Sequence, residues 1–316
     1  MKRRPNVLIC NSKGPNNLVP VTDRDVSLVS LEWDCNVFRP PHPALSSVNR
    51  YVCGNRATLD NNGQMFKFSE GEELDMASAD RSTLFINATV LDGSEHMEPQ
   101  PDMAVTVERG VITWMGPSAV AQAPAGAEVI DLAGAYLMPG LINMHVHLCG
   151  SGKPVSAGDA GALMKKLDNP VGRAIVRHIL KGSAQQQLAS GVTTVRGAGD
   201  PLFADLAVRD AIDAGKYQGP RLVAPGTGVT VPGAQVANSP AEAAEQVRDL
   251  YARGADVIKL FVTGGVFDAT EVGEPGVLRM PVEVAAAACK AAHDMGLPVM
   301  AHVESTEGVK AALEAG

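Results

Sequence analysis

From Thr83 onward the chain is written first in alternating apolar and polar positions and then in longer segments of helical period. The runs Thr83-Leu-Phe-Ile-Asn-Ala-Thr-Val-Leu91, Met103-Ala-Val-Thr-Val-Glu-Arg-Gly-Val-Ile-Thr-Trp-Met115 and Glu128-Val-Ile-Asp-Leu132 are short, rich in β-branched residues and separated by Asp-Gly, Arg-Gly and proline-rich turns. They predict a small β-domain with a tight hairpin at Arg109-Gly110. After Met138 the writing changes to strands alternating with helices, the signature of a parallel α/β fold. Strands are expected over residues 141–148, 192–196, 221–225, 257–263 and 297–302. Among the helices between them, 174–189 runs into Gly191 as a C-cap, and Ser239-Pro-Ala-Glu242 combines capping-box spacing with proline at the first helical position. Pro281 similarly opens residues 282–295, which stop at Gly296, and a last helix covers 307–315.

Five strand-and-helix units in about 180 residues match the repeat length of a TIM (β/α)8 barrel, which needs about 250 residues for eight. The expected fold class is therefore α/β, a partial TIM barrel of about five units ending roughly three units early. The division is 1–81, an unassigned N-terminal extension; 82–137, a β-domain; and 138–316, the incomplete barrel. Residues 1–81 are rich in Asn, Pro and Ser, carry no sustained helical period and end in the acidic stretch Ser69-Glu-Gly-Glu-Glu-Leu-Asp75, which reads as a solvated linker.

Composition narrows the partners. A net charge of −8 with pI near 5.4 argues against nucleic acid or an anionic membrane, either of which needs a concentrated basic face. A small-molecule or dipeptide substrate is easier to accommodate, and homo-oligomer formation is left open. Five scattered cysteines without a Cys-x-x-Cys pair speak against a disulfide framework and for a reducing cytoplasm. Val7-Leu-Ile-Cys10 is too short for a secretory segment, and no run of about 18 apolar residues predicts a membrane span.

The candidate chemistry lies at the carboxyl ends of the barrel strands, where TIM barrels place their sites. In Leu137-Met-Pro-Gly-Leu-Ile-Asn-Met-His-Val-His-Leu148, His145 and His147 stand one residue apart on a strand expected to be buried, so both face one side and can hold one ion. Packed or surface histidines are the competing reading. Lys259 is the lone charge in Val257-Ile-Lys-Leu-Phe-Val262, so it is paired, snorkelling or chemically changed. His302 ends the fifth strand in Met300-Ala-His-Val-Glu-Ser305. His42, His96, His178 and His293 receive no role, and Cys10, Cys35 and Cys53 lack metal-ligand spacing.

These motifs carry a resemblance. Pro-Gly-Leu-Ile-Asn-x-His-x-His and Ile-Lys-x-x-x-Thr-Gly-Gly resemble the first- and fourth-strand signatures of the metal-dependent amidohydrolase superfamily, especially its imidazolonepropionase-like and Xaa-Pro dipeptidase-like branch, over about Ser82 to Gly316. The resemblance implies that residues 82–137 are the amino-terminal part of a flanking β-sandwich. It also implies a site with two divalent ions, most often zinc, held by His145, His147 and His302 and bridged by a carbamate on Lys259. The implied reaction is hydrolysis of a carbon–nitrogen bond in an amide, cyclic amide or dipeptide by a metal-activated hydroxide. Arg196, in Arg196-Gly-Ala-Gly-Asp200, and Thr263, in Thr263-Gly-Gly265, lie where substrate would sit; tight turns are the alternative. The family's sixth-strand histidine and catalytic eighth-strand aspartate would fall beyond Gly316, so no catalytic acid–base residue is assigned. A truncated, catalytically inactive fragment or pseudoenzyme is the rival expectation, with exposed sheet edges and poor solubility. The short stretch Thr227–Gln235 also departs from relatives that carry a histidine-bearing loop there.

Overall fold

The computed structural model describes residues 7–10, 82–150, 160–229, 237–265 and 276–316. The expectations for the remainder of 1–81 and for most of the 227–235 loop lie outside the described residues. Two compact units are present, dividing near Leu141.

The first unit is a six-stranded sheet of β1 (Val7–Cys10), β2 (Ser82–Val90), β3 (Gln100–Glu108), β4 (Val111–Pro117), β5 (Glu128–Asp131) and β6 (Tyr136–Pro139). Its order is β1-β6-β2-β3-β4, with β5 also pairing β2. The two-residue turn between β3 and β4 has both Arg109 (φ 50°) and Gly110 (φ 72°) in the left-handed region, as a turn matching the twist of a β-ribbon requires. β2 shares one edge between β5, along Thr83–Ile86, and β6, at Thr89 and Val90. β6 was not separately expected; the apolar run before Pro139 reads as continuous with the next strand. Phe85, Ala88, Val90, Val105, Val107 and Leu137 form this unit's core.

The second unit alternates β7 (Leu141–Val146), α1 (Ala160–Leu167), α2 (Pro170–Ala189), β8 (Val192–Gly197), α3 (Ala204–Asp213), β9 (Arg221–Val223), α4 (Pro240–Ala252), β10 (Ile258–Phe261), α5 (Val282–Asp294), β11 (Val299–His302) and α6 (Thr306–Ala315). Strand order follows chain order, β7-β8-β9 and β10-β11, and β8/β9 and β10/β11 pair in parallel. The two groups are joined by a parallel bridge between Val229 and Leu260 and by Asp256 N–H donating to Ala224 O at 2.9 Å. Five units of a partial barrel result, as the periodicity predicts.

Helix starts explain the registers. Asn169 accepts from Val171 N and Gly172 N with Pro170 in the first turn, which starts α2 one turn before the expected residue 174. Ser239 accepts from Glu242 N, and Ser305 from Gly308 N, at the heads of α4 and α6. Pro281 is the N-cap of α5, which begins at Val282 as expected.

Along the strands the faces separate by chemistry. Val195, Ile258, Leu260 and Val262 are buried in the clusters that contain Val176, Leu180 and Val208 on one side and Val247, Val284 and Ala288 on the other. Each such aliphatic contributes roughly 1.5–3 kcal/mol on burial. The alternate positions, Arg196, Lys259, Phe261 and His302, fall on the opposite face by the period of two. Among the described residues no helix is long and apolar enough to cross a membrane.

Candidate functional site

β7 departs from expectation. It is not buried: Leu141, Ile142 and Met144 are 45%, 51% and 52% exposed. Among the described strands β7 pairs on one edge only, with β8, and cover begins at its carboxyl end, where Val146 and Leu148 pack with Val176 and Leu180. The face carrying the histidines is nevertheless formed. The His145 and His147 rings stand edge to face with centroids 5.7 Å apart. His147 Nδ1 lies 2.6 Å from the Gly199 carbonyl oxygen. A carbonyl only accepts, so Nδ1 carries the proton, and in the neutral ring Nε2 keeps its lone pair, the tautomer a metal ligand needs.

Lys259 is the unusual group. The side chain is fully buried and Nζ has no hydrogen-bond partner. Nζ sits 5.2 Å from the centroid of the Phe261 ring, whose face attracts a cation weakly. Burial first, and then the Arg196 guanidinium, push the amine down to about 8. His145 is also held below the usual histidine range, by desolvation and then by the charges of Lys259, His147, Arg196 and His302. The expected ligands and Arg196 thus share one electrostatic neighbourhood.

His302 packs at 5.7 Å against Phe261, and its Nε2 lies 3.1 Å from Glu304 Oε1 and 3.3 Å from Gly264 O. Both partners accept, which puts a proton on Nε2 and, in the neutral ring, leaves Nδ1 its lone pair. Arg196 donates from Nε to Met144 O at 2.8 Å, tying β8 to β7 with its guanidinium between them. Thr263 is buried and its hydroxyl accepts Glu304 N–H at 3.0 Å, which holds the loop after β11. Among the described residues no three His, Cys, Asp or Glu side chains gather as a ready metal site; the grouping here depends on Lys259.

Sequence reasoning missed Glu304 and the buried carboxylates. Asp200, expected only as part of a substrate-side loop, is 3% exposed and accepts Cys149 N–H and Leu148 N–H at 2.8 and 3.3 Å. Asp205 accepts Gly226 N–H and Leu206 N–H, each at 2.9 Å. Burial and then the Asp200 charge push Asp205 up to about 7. No spacing rule marks these positions, because both partners of Asp200 and one of the two of Asp205 are backbone amides of loops distant in sequence.

Comparison with known proteins places these features. The chain is 32% identical over 158 residues to a dihydroorotase of Chlorobaculum tepidum, covering 42% of this chain and 36% of that one. It is 28% identical over 233 residues to an imidazolonepropionase of Methylobacterium nodulans, covering 69% and 57%. The solved structure of a Xaa-Pro dipeptidase with methionine bound in its active site superposes with a TM-score of 0.62 at 28% identity, over 74% of this chain and 60% of that one. The chain thus spans roughly a third to three-fifths of the length of these relatives. The Amidohydrolase family model matches residues 136–316, the whole stretch that carries the paired histidines, the orphan lysine and His302, and the chain belongs to that family.

Proposed function

We propose that the chain carries a metal-dependent centre for hydrolysing carbon–nitrogen bonds in amides, cyclic amides or dipeptides. The observation that carries this reading is the Lys259 amine, wholly buried and unpartnered on the face shared with the histidines. An uncompensated buried ammonium is costly, whereas a carbamate there would give the position an anionic oxygen to share between cations. The neutral amine, whose share grows as its pKa falls, forms that group by adding to carbon dioxide with loss of one proton. His145 and His147 would hold one divalent ion, most simply zinc, His302 a second, and Lys259 would bridge them. Such ions, when bound, supply a water of lowered pKa and polarise a carbonyl.

The chain's own residues prepare the rest. The Gly199 carbonyl keeps the His147 Nε2 lone pair available, and Glu304 does the same for His302 Nδ1. Arg196, whose guanidinium is anchored through Nε among the described residues, is suited to a substrate carboxylate, a group that dipeptides carry. A second reading is a centre that binds an ion without turnover: Gly199 O and Glu304 prepare His147 and His302 as ligands, whereas no residue is assigned the acid–base role.

The test is zinc content together with hydrolysis of a panel of dipeptides and cyclic amides. Turnover that needs zinc and is lost in His145→Ala, by at least about a hundredfold, supports the hydrolase. Bound zinc without turnover supports the second reading, and a chain that takes up no metal overturns both.

A further inference from the structure

We propose that Asp200 is a positioning residue that, through the peptide it shares with Gly199, fixes the ring orientation and tautomer of His147 and thereby the affinity of the site for its ion. The ion half rests on the function proposed above; the tautomer half does not. One peptide unit is pinned at both ends. Its oxygen, on Gly199, accepts from His147 Nδ1 at 2.6 Å, and its nitrogen, on Asp200, donates to Gly226 O at 3.2 Å. The Asp200 carboxylate then reaches back to the two amides that directly follow His147, Leu148 N and Cys149 N. Thr227 Oγ1 donates to Asp200 O at 3.4 Å. The ends of β7, β8 and β9 are therefore sewn together at one residue.

The geometry is specific to the residue types. Gly199 has φ +106°, and a Cβ there would meet its nearest atom, Gly228 N, at 3.6 Å. Space is not what excludes a side chain; the left-handed backbone that aims the carbonyl at His147 is. Asp200 needs two acceptor oxygens for two amides, which serine or glycine cannot offer. It is nearly fully buried, so the bonds are shielded from water and each is expensive to lose. Nothing in the proposed chemistry uses this carboxylate directly.

The experiment uses the full chain with 15N-labelled histidine, metal-free at pH 8, and long-range proton–nitrogen spectra of the rings. His147 is identified by the signal lost in His147→Gln. Wild type is expected to show Nδ1 protonated and Nε2 bare. Asp200→Ala should give mixed tautomers and a zinc affinity, by chelator competition, lower by about 10- to 100-fold. Asp200→Asn, which keeps one acceptor oxygen, should fall between the two. A wild-type ring protonated at Nε2 overturns the proposal whether or not the variants fold, as does Asp200→Asn or Asp200→Ala with the wild-type tautomer. If wild type takes up no zinc, the metal reading fails and the ring spectra alone decide on Asp200.

Discussion

Lys259 concentrates the tension between stability and chemistry in a single side chain. Its four methylenes are buried as any aliphatic would be, but its amine has lost water and gained no hydrogen bond. Leaving such a group unsatisfied costs about 1–3 kcal/mol. Lys259→Met keeps the length and removes the polar atom. The expected result is a metal-free chain more stable to urea by about 1–3 kcal/mol that has lost the capacity to bridge two ions, so bound zinc falls to one per chain or fewer. A destabilised Lys259→Met chain would mean that the amine has a partner stabilising the fold, and the carbamate would lose its physical motive. The neighbouring Phe261 ring is consistent with this: it offers the amine a weakly attractive face without the charge that would hold it permanently as ammonium.

Helices and strands were legible in the sequence where their causes are local. Ser239-Pro-Ala-Glu242 announced α4, and the structure has Ser239 Oγ accepting Glu242 N–H at 3.3 Å while Glu242 Oε2 accepts Asn238 N–H at 2.7 Å. Ser239→Ala should therefore cost about 1 kcal/mol in urea unfolding, with early loss of hydrogen-exchange protection in the first turn of α4; unchanged protection would show that packing of Ala243 and Val247 alone holds the helix start. The Arg109-Gly110 turn and the five barrel strands were legible for the same reason. The left-handed pair Leu202 and Phe203, φ 59° and 55°, was not, since neither residue favours that backbone region and only surrounding structure holds it there. The exposure of β7 was equally hidden: an apolar run reports that a strand prefers cover, not which neighbours supply it. Of the candidate site, His145, His147, Lys259 and His302 stand out by residue type against an apolar strand. Gly199 and Asp200 reach His147 and the amides after it from some fifty residues away, and such a contact leaves no local mark; Glu304 stands two residues after His302, where a lone carboxylate reads as an ordinary loop residue.

The stability of the whole molecule should carry the imprint of its buried carboxylates. Asp205 is fully buried, and burial, reinforced by the Asp200 charge, raises its folded-state pKa from an ordinary carboxylate value to about 7. Two N–H donors and Arg209 work in the opposite direction without overcoming the burial. In the unfolded chain the same group titrates near 4. Between those values the folded state holds a proton that the unfolded state has released. Below about pH 4 both states are protonated and the group makes no difference. As pH rises toward 7, folding must increasingly work against keeping that proton, and stability falls; above 7 the loss is complete, on the order of a few kcal/mol at most. Asp205→Asn removes the titration while leaving one acceptor for Gly226 N or Leu206 N. Urea unfolding between pH 5 and pH 8 should show a decline for wild type and a flatter profile for Asp205→Asn, with the variant gaining on wild type as pH rises. Parallel profiles, or a variant that loses ground toward pH 8, would place the Asp205 carboxylate in its ionised form in the native molecule. The two amides that Asp205 binds would then be compensating an anion at the junction of α3 with the loop after β9.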